Sequence, residues 1–429
     1  MSDINKSRLF LGSCFALITT AMAFAIRAGI MNNLSDDFNL SDSQLGWINF
    51  TGIFGFPIAT LGVGPLYNTL GPKKLGWIAF GSHLLGLILF IFSPNYISLL
   101  LSMGLISFGN GTVEAAFNPM IAQMYSGEKT TKMLNRFHVW FPGGIVIGSL
   151  LALMFNNLDL GWQAKMSLMF IPIAIYGYLF WGQKFPENAQ NISTSNAENF
   201  KSIFTSPLYW VMLICMALTA TTELGTQSWV ERILGNAGAN PLLVLALVTG
   251  IMAVGRFWGG EIVHRLNITG VLLGSAIVAT IALVLMSQAE GAMVYVAAVL
   301  FAIGVCYFWP NMISFVAVHL PKTGAFGMSL IGGVGMLATS IFQPIIGGWL
   351  ESSKIENANA AGFNIPEGLS GSALNEALNV IPADQMSNIE LAAGQATLDN
   401  IAILPAILIV IFGILFAMRK KILLAEPAH

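Results

Sequence analysis

The sequence predicts an all-α polytopic membrane protein in which twelve transmembrane helices form two pseudo-symmetric six-helix halves. Three observations predict this fold class. Hydrophobic residues make up 55% of the chain and charged residues 9%, and the mean hydropathy is +0.72. Soluble domains have roughly 25% charged residues. The apolar residues form runs of about 20, which is the length that crosses a bilayer. The two halves of the chain also resemble each other weakly.

The apolar runs divide into two sets of six, joined by a polar stretch. Spans are expected near residues 9–31, 44–66, 75–93, 98–125, 137–156, 163–182, 207–232, 241–262, 269–288, 292–318, 325–350 and 398–418. Residues 1–182 are therefore predicted to form the N-terminal half and residues 207–429 the C-terminal half. The segment 183–206 is rich in Asn and Ser, which is typical of a linker, here on the cytoplasmic side.

The C-terminal half carries one long polar segment, residues 351–397, before its last predicted span. We expect a periplasmic loop here, because its amphipathic pieces, Ala373 to Val380 and Asp384 to Ala393, are short and weak. A partly ordered surface segment is the favoured interpretation, and a lid or a partner-binding site is the alternative.

Lysine and arginine residues predict the orientation, since they accumulate in the cytoplasmic loops of membrane proteins. With both termini cytoplasmic, that side holds Lys6, Arg8, Lys73, Lys74, Lys129, Lys132, Arg136, Lys184, Lys201, Arg265, Lys322, Arg419, Lys420 and Lys421. The opposite loops keep only Lys165, Arg232 and Lys354 and hold most of the acidic residues. Compact loops without lipidation or sorting motifs favour a bacterial inner membrane.

Short matches between the halves indicate a duplication. Thr51-Gly-Ile in the second span corresponds to Thr249-Gly-Ile in the eighth, and the fifth and eleventh spans both have glycine-rich starts. A six-plus-six duplication predicts a pseudo-twofold axis along the membrane normal, with the substrate site at mid-depth between the halves.

The fourth span contains the residues on which the functional prediction is built. Glu114 has about ten largely uncharged residues on either side, so it is expected to face protein or a water-filled cavity and not lipid. At helical spacing Asn110, Glu114 and Asn118 lie on one face, and Pro119 removes a backbone donor beside them. This face is predicted to line a polar cavity.

Two further charged residues lie well inside spans. Arg27 in the first span should pair with an acid or bind an anionic group, and Glu114 and a substrate carboxylate are the candidate partners. A purely structural ion pair is the alternative. Glu223 lies at mid-depth in the seventh span, with Thr219 and Gln227 one turn to either side. Because intramembrane acids mark proton paths, Glu114 and Glu223 are candidate proton carriers.

Aromatic and amide side chains suit a sugar, because aromatic faces stack on the sugar ring while amides bond its hydroxyls. The candidate substrate-binding set is Arg27, Glu114, Asn118, Glu223, Gln227, Trp229, Tyr307, Trp309 and Asn311. For each aromatic residue, packing or an interface anchor is the alternative. His138 opens the fifth span and is a candidate proton relay, with a plain interface position as the alternative.

These motifs resemble the major facilitator superfamily over essentially the whole chain. The loop between spans two and three of that family typically reads Gly-x-Leu-x-Asp-Arg-x-Gly-Arg-Arg. The matching gating-motif positions are Gly64, Asn68, Gly71 and Lys73 in the first half and Arg256, Gly260 and Arg265 in the second. Asn68 and Thr69 stand where the family has Asp and Arg. The resemblance implies the major facilitator fold and a role for both stretches in gating.

Within that superfamily, the stretch Glu114-Ala-Ala-Phe-Asn118-Pro119 resembles the Glu-Thr-Ala-Ala-Asn-Pro signature of the fucose:proton symporter branch. Leu134-Asn135 matches the Leu-Asn of that branch before span five. The resemblance implies that Glu114 is a protonatable carboxylate that faces a sugar. Ala28 stands near the position of the branch's acidic residue in span one, and Phe141 stands where the branch has Asn.

The sequence thus predicts a secondary active transporter, not an enzyme, that moves a monosaccharide or a sugar acid by alternating access. A proton gradient is the favoured driving force, and a sodium gradient is the alternative. The expected partners are the solute, the proton and the lipid bilayer, with no nucleic acid, and a monomer is expected. No cofactor or metal site is predicted, since no nucleotide-binding motif or cluster of metal ligands is present. Export of a drug or metabolite, and a non-transporting membrane sensor, are the alternatives.

Overall fold

The computed structural model describes residues 4–63, 66–125, 133, 136–186, 196–257, 259–366, 368–369 and 371–420. Nearly all of these residues are helical, and no strand occurs among them. The chain divides into two compact units. Unit 1 comprises Met1–Asn39 and Trp47–Ser193, and unit 2 comprises Leu40–Gly46 and Thr194–His429.

Unit 1 consists of helices that pack along their lengths. They are α1 (Lys6–Ala28), α2 (Met31–Phe38), α3 (Asp42–Ile58), α4 (Tyr67–Ile91), α5 (Tyr96–Met124), α6 (Trp140–Asn157), α7 (Trp162–Ser167) and α8 (Phe170–Phe180). The first residues of α3 belong to unit 2. Helix α4 packs against α5, and α1 packs against α6 and α8. Asn95 starts α5 with a reciprocal capping box: its side chain accepts from the Ser98 backbone N–H at 3.0 Å, and Ser98 Oγ accepts from the Asn95 N–H at 3.2 Å.

Unit 2 is built in the same way. Its helices are α9 (Asn196–Thr205), α10 (Pro207–Ala220), α11 (Pro241–Phe257), α12 (Gly259–Met286), α13 (Ala292–Val305), α14 (Phe308–His319), α15 (Gly324–Ala360), α16 (Gly371–Leu378) and α17 (Ala383–Ala417). Between α10 and α11 lie a π-helical turn, Thr221–Gly225, and two short helical turns, Thr226–Ser228 and Val230–Leu234. Helix α12 packs against α13 and α17, and α15 packs against α10 and α17.

Small residues let the helices of each unit approach closely. A Cβ atom built on Gly144 of α6 would come within 2.6 Å of Cβ of Ala21 in α1. One built on Gly304 of α13 would come within 2.5 Å of the backbone nitrogen of Ala279 in α12. Both separations are well below the optimal distance of about 3.5–4.0 Å for non-bonded carbon atoms. Any side chain at these positions would therefore push the helices apart, and such small-residue contacts are the usual means by which membrane helices associate.

The predicted spans coincide with helices of the described residues. In that part of the chain, ten helices are long and apolar enough to cross a membrane, and Pro241–Arg256 is a shorter apolar helix. The sixth predicted span, 163–182, falls on α7 and α8, which a short break separates. The predicted linker, 183–206, contains α9, and Ser206 at its end caps α10 by accepting from the backbone N–H of Tyr209 at 3.2 Å.

The segment 351–397 is more ordered than the loop predicted for it. Helix α15 continues to Ala360, α16 spans Gly371–Leu378 and α17 begins at Ala383. The buried apolar residues of this region form a cluster of their own: Ala358, Ile365, Leu374, Leu378, Ile381 and Ile389. Each piece contributes only one or two residues, and short helices gain most of their stability from such packing. The local pattern of each piece is therefore weak, although the pieces together fold.

Candidate functional site

A chain of hydrogen bonds in unit 1 links Glu114 to His138. The side-chain nitrogen of Asn118, one turn after Glu114 on α5, donates to Oε2 of the carboxylate. The side-chain oxygen of Asn118 lies 3.0 Å from Nε2 of His138, which precedes α6. Glu114 and Asn118 are half-buried, whereas His138 is exposed. A carboxylate well inside a membrane helix is thus connected through one amide to an exposed imidazole.

Asn118 suits this position because an amide offers both a donor and an acceptor. Its NH2 group donates to the carboxylate of Glu114, and its oxygen accepts from the imidazole of His138. Each neighbour therefore meets a group of the complementary kind. Pro119 follows directly and has no N–H, which leaves the carbonyl of Ala115 without its usual helical donor. The helix is therefore weakened at the point where the polar side chains lie.

Asn110 does not join this chain, although it lies on the predicted face. Its Oδ1 lies 3.0 Å from Nε2 of His83 in α4, and Nδ1 of His83 lies 3.0 Å from the hydroxyl of Tyr176 in α8. All three side chains are buried. This network connects three helices of unit 1, so the contacts assign Asn110 to helix packing in this conformation.

Arg27 does not pair with Glu114. Its Nη1 donates to the backbone oxygen of Gly52 in α3 at 2.9 Å, and its guanidinium carbon lies 4.9 Å from the centre of the Phe24 ring. Its Nε and Nη2 atoms are buried and have no hydrogen-bond partner in the part of the chain that the structure describes. Glu114 is therefore not the partner of Arg27 in this structure. The other candidate partner is an anionic group of a ligand.

In unit 2 the carboxylate of Glu223 is paired with Arg256. Nη2 of Arg256 donates to Oε1 of Glu223 at 3.1 Å, and Nε of Arg256 donates to the backbone oxygen of Cys306 at 3.0 Å. Glu223 is 5% exposed. Arg256, which the family resemblance assigns to a gating stretch, thus belongs to the same cluster as Glu223.

The backbone around Glu223 departs from a regular α-helix. Residues Thr221–Gly225 form a π-helical turn, in which hydrogen bonds connect residues five apart. Because the turn is wider, Thr219 and Gln227 do not lie one regular helical turn to either side of Glu223, contrary to the prediction from the sequence. Oγ1 of Thr221 and Oε2 of Glu223 are buried without a hydrogen-bond partner among the described residues. Because π-turns are frequent at functional sites, these two oxygens are candidates for contact with a polar ligand.

Tyr307 lies next to this pair, and its neighbours in span ten are engaged elsewhere. The Tyr307 hydroxyl donates to the backbone oxygen of Gly255 at 2.9 Å. The side-chain nitrogen of Asn311 donates to the backbone oxygen of Tyr307 at 3.0 Å, within its own helical segment. Trp309 is half-buried, and its ring comes within 3.8 Å of the place that a Cβ on Gly332 would occupy. The structure therefore brings Glu223, Arg256 and Tyr307 together, and Trp309 faces α15.

Gln227 and Trp229 make contacts that favour packing. Nε2 of Gln227 lies 3.7 Å from the sulfur of Met252, and Gln227 also lines a mostly apolar cavity in unit 2. The cavity residues are Thr226, Gln227, Val230, Ile233, Leu234, Val244, Leu245, Val248, Met286, Phe301 and Leu398. Trp229 is fully buried, and its Nε1 donates to Oε1 of Gln343 in α15 at 2.9 Å. Because its one polar atom is already bonded, Trp229 has none left for a sugar in this conformation.

A break in the helical backbone lies in the first predicted gating stretch, and another lies directly after the second. Gly71 has φ 75° and ψ 162° inside α4, and Asn267 has φ 54° and ψ 166° inside α12. This region of φ and ψ is essentially restricted to glycine. At Asn267 the side chain compensates in part, because its Oδ1 accepts from Thr269 Oγ1 at 2.7 Å and from the backbone N–H of Gly270 at 2.9 Å.

A basic residue lies two positions from each break: Lys73 follows Gly71 and Arg265 precedes Asn267, and both are exposed. Asn68 lies in α4 and Gly260 in α12. Gly64 lies outside the described residues, as do Leu134 and Asn135. The described part of both stretches therefore shows exposed cations beside a helix break.

Unit 2 contains a buried cluster of charged residues that the sequence analysis does not predict. Asp42 accepts from Nε of Arg232 at 2.8 Å and from Nζ of Lys354 at 2.7 Å, and Nζ of Lys354 lies 3.5 Å from Oε1 of Glu390. The sequence contained one signal for it, since Arg232 and Lys354 are two of only three basic residues in the predicted outer loops. Their partner Asp42 lies far away in the chain, and the sequence gives no reason to single it out from the nearby Asp36 and Asp37.

The two carboxylates differ in what protonation would change. Glu114 is bonded to a neutral amide, so a proton on Glu114 breaks no ion pair. A proton on Glu223 would neutralise the partner of Arg256. Within the described residues, no group of three or more His, Cys, Asp or Glu side chains is arranged to hold a metal ion. The arrangement is therefore suited to proton exchange and hydrogen bonding.

The chain matches the family model of the Major Facilitator Superfamily over residues 10–350. A D-xylose transporter of Levilactobacillus brevis is 21% identical over 148 residues, which are 34% of this chain and 32% of that protein. The chain thus matches less than two thirds of the length of this relative.

Two solved structures cover nearly the whole chain. A bacterial homologue of the human lysosomal transporter Spinster, inward-facing and unoccupied, has a TM-score of 0.77 and 14% identity, with 97% of this chain and 98% of that chain covered. A D-xylose-proton symporter has a TM-score of 0.69 and 14% identity, with 90% and 96% covered. At these identities the likeness shows the fold, and it confirms the predicted all-α architecture of twelve transmembrane helices.

Proposed function

The chain belongs to the major facilitator superfamily and is a membrane transporter of that kind, and on this premise we propose that it is a proton-coupled symporter for a monosaccharide or a sugar acid. Transport proceeds by alternating access, with residues 1–182 and 207–429 as the two six-helix halves. No step of covalent chemistry is required of any residue.

The observation that carries the proposal is the connection of Glu114 to His138 through Asn118. Acids inside membrane spans are rare and mark proton paths. Histidine changes its charge near neutral pH more readily than other side chains, and His138 is exposed. The amide itself carries no proton, but it holds the two groups close together. A proton carried on Glu114 can therefore leave at the imidazole, on the predicted cytoplasmic side, once Asn118 turns aside and the two groups meet directly or through a water molecule. Glu223, with its unbonded oxygen, is the second candidate carrier.

The choice of a sugar is supported by the polar groups near both carboxylates. Asn118 beside Glu114, and Tyr307 beside the pair of Glu223 and Arg256, are the kinds of side chain that bond sugar hydroxyls. Two of the similar proteins are named as a D-xylose transporter and a D-xylose-proton symporter. From these names we extend to this chain only the class of substrate, a small sugar or its acid.

The excess of Lys and Arg in one set of loops supports cytoplasmic termini, and compact loops favour a bacterial inner membrane. We propose that the transporter works as a monomer, because each unit holds its own carboxylate with partners from the same unit.

Uptake into proteoliposomes tests the proposal. The purified protein is reconstituted with a pH-sensitive dye inside, and labelled hexoses, pentoses and uronates are offered with and without an inward proton gradient. We expect one sugar class to accumulate above its outside concentration and the lumen to acidify at the same time. A protonophore should abolish accumulation and leave exchange of labelled for unlabelled sugar intact.

The same experiment separates the alternatives. Binding of a sugar without flux in either direction would favour a membrane sensor. Gradient-driven movement of a hydrophobic cation, with no sugar transported, would favour a drug exporter. Either result would refute sugar symport.

A further inference from the structure

The guanidinium of Arg27 is buried in unit 1 with most of its hydrogen-bonding capacity unused. Arg27 is 1% exposed, and only its Nη1 is bonded, to the backbone oxygen of Gly52. Nε carries one N–H group and Nη2 carries two, and neither atom has a partner among the described residues. Three of the five N–H groups of the guanidinium are therefore unsatisfied away from solvent.

The positive charge of Arg27 is also unbalanced. Among the described residues, no carboxylate oxygen lies within 4.0 Å of a nitrogen of Arg27. Arginine does not lose its proton in proteins, and a charged group inside the membrane is costly unless it is paired. The ring of Phe24, 4.9 Å from the guanidinium carbon, contributes only a weak attraction. Nothing that the structure describes in this chain supplies the missing negative charge.

A second unsatisfied polar side chain lies on the helix that Arg27 contacts. Asn49 is fully buried, and neither its Nδ2 nor its Oδ1 has a hydrogen-bond partner among the described residues. Asn49 and Gly52 are three residues apart on α3, so they lie on the same side of the helix. A Cβ on Gly52 would overlap Nη1 of Arg27, so the glycine leaves the space that the guanidinium occupies. The unbonded N–H groups of Arg27 and the unbonded amide of Asn49 thus lie near each other in unit 1, because Arg27 contacts α3 three residues from Asn49.

We propose that Arg27 and Asn49 form an anion subsite that binds the carboxylate of the transported solute, which makes the cargo a sugar acid and not a neutral sugar. The inference rests on the proposed function and narrows its substrate class. The planar guanidinium matches a carboxylate through two parallel hydrogen bonds, and Nε and one N–H of Nη2 are the edge that remains open. The NH2 group of Asn49 is available as an additional donor.

The subsite fits a single negative charge. Lys165, which is also buried in unit 1, donates to Oδ1 of Asn33 at 2.8 Å and is engaged there. Arg27 therefore supplies one positive charge, which balances one negative charge. A phosphate monoester carries nearly two negative charges at neutral pH, and the second would be left unbalanced. A carboxylate is the better match.

Calorimetry on the purified full-length protein tests this assignment. The probes are D-glucuronate and D-galacturonate, their uncharged amides, the neutral hexoses, and glucose 6-phosphate. We expect at least one uronate to bind about tenfold to a hundredfold more tightly than its amide, the range that a charge-assisted hydrogen bond supplies. In Arg27→Gln the ratio should fall to about one, and in Asn49→Ala it should fall part of the way.

Two controls keep the test decisive. Arg8→Gln makes the same substitution on the same helix, where the side chain donates to backbone oxygens of Leu179 and Tyr178, and it should keep the discrimination. The melting temperature of Arg27→Gln should not fall below that of the parent, because the variant removes a buried charge that lacks a partner. A marked fall would show that Arg27 is a structural residue and would overturn the inference.

The remaining outcomes are also distinct. Neutral hexoses that bind and are transported as well as the uronates would overturn the anion subsite and leave sugar transport standing. Tighter binding of glucose 6-phosphate than of any uronate would overturn the assignment to a carboxylate. Absence of binding and transport for every sugar would refute the proposed function itself.

Discussion

Arg256 and Glu223 form an ion pair inside unit 2, with Nη2 of the arginine 3.1 Å from Oε1 of the carboxylate. The sequence places these residues in different roles, one in a gating stretch and the other at the middle of a span. Arg256 also donates to the backbone oxygen of Cys306 at 3.0 Å, directly before Tyr307 and α14. A change in the charge of Glu223 would therefore weaken the ion pair that positions Arg256. Because Arg256 also bonds the backbone of Cys306, the end of α13 would be affected as well.

Neutralising one member of this pair should cost more stability than neutralising both. In Arg256→Gln the carboxylate of Glu223, with 7% of its side chain exposed, stays buried without its counter-charge. We expect a loss of about 3 kcal/mol, the low end for a broken buried pair, because 27% of the arginine side chain is exposed. The double variant Glu223→Gln, Arg256→Gln should recover much of this loss. Thermal unfolding in detergent measures all three proteins.

Arg265→Gln is the matched control, since Arg265 is exposed, and its effect should stay within about 0.5 kcal/mol. A double variant no more stable than Arg256→Gln alone would contradict an energetic coupling between the two charges.

Glu114→Gln should uncouple transport from the proton gradient. The amide of glutamine preserves the size of the side chain and can still bond Asn118, but it does not gain or lose a proton. We expect accumulation of the sugar to disappear, while exchange of labelled for unlabelled sugar continues. Dye-loaded proteoliposomes measure both, and in this variant the lumen should no longer acidify when sugar enters.

Asn118→Ala tests the connection itself. It keeps both titratable groups and removes the amide between Glu114 and His138. We expect slower proton-coupled uptake with the final accumulation ratio unchanged, because Asn118 positions the proton donor and the proton acceptor, which affects the rate of transfer and not the equilibrium. Asn110→Ala is a suitable comparison, since Asn110 bonds His83 and not Glu114. Unchanged uptake kinetics in Asn118→Ala, at equal protein levels, would remove Asn118 from the proton path.

The spans were predictable because a bilayer demands a long apolar run, and that demand acts on each segment separately. Contacts between distant residues follow a different rule. Glu114 and His138 could each be singled out, but their link through Asn118 depends on how α5 approaches the start of α6. The pairing of Glu223 with Arg256 was missed for the same reason, and also because the π-turn changes the helical spacing from which its neighbours were predicted.

Trp229 shows the limit of composition as a guide to a site. An aromatic residue near polar residues of a span suits a sugar, yet its indole nitrogen is bonded to Gln343, which has no unusual sequence context. Asn49 is the converse case. It is a single amide in an apolar run, and its significance appears only when both of its polar atoms are found buried and unbonded.

Gly71→Ala should destabilise the protein, because the backbone of Gly71 has φ 75° and ψ 162°. A side chain in this region costs about 1–3 kcal/mol. Gly81→Ala in the same helix is the control, since a Cβ there meets nothing within 4 Å and alanine is favoured over glycine in a helix by about 1 kcal/mol. Melting temperatures should therefore fall for the first variant and hold or rise for the second. Equal shifts would show that the backbone of Gly71 is not strained.

Asp42→Asn should be among the most destabilising changes outside the substrate site. Asp42, in the segment Leu40–Gly46 of unit 2, is the common partner of Arg232 and Lys354, and the side chains of Asp42 and Lys354 are only 4% and 5% exposed. Its neutralisation removes the carboxylate that Arg232 and Lys354 share and leaves Lys354 with the more exposed Glu390, so a loss of about 3–5 kcal/mol is expected. Glu390→Gln, at a side chain that is 29% exposed, should cost about 1 kcal/mol or less.

High salt should change the loss of stability in Asp42→Asn little, because buried pairs are weakly screened. A loss that disappears in high salt would place this cluster in contact with solvent.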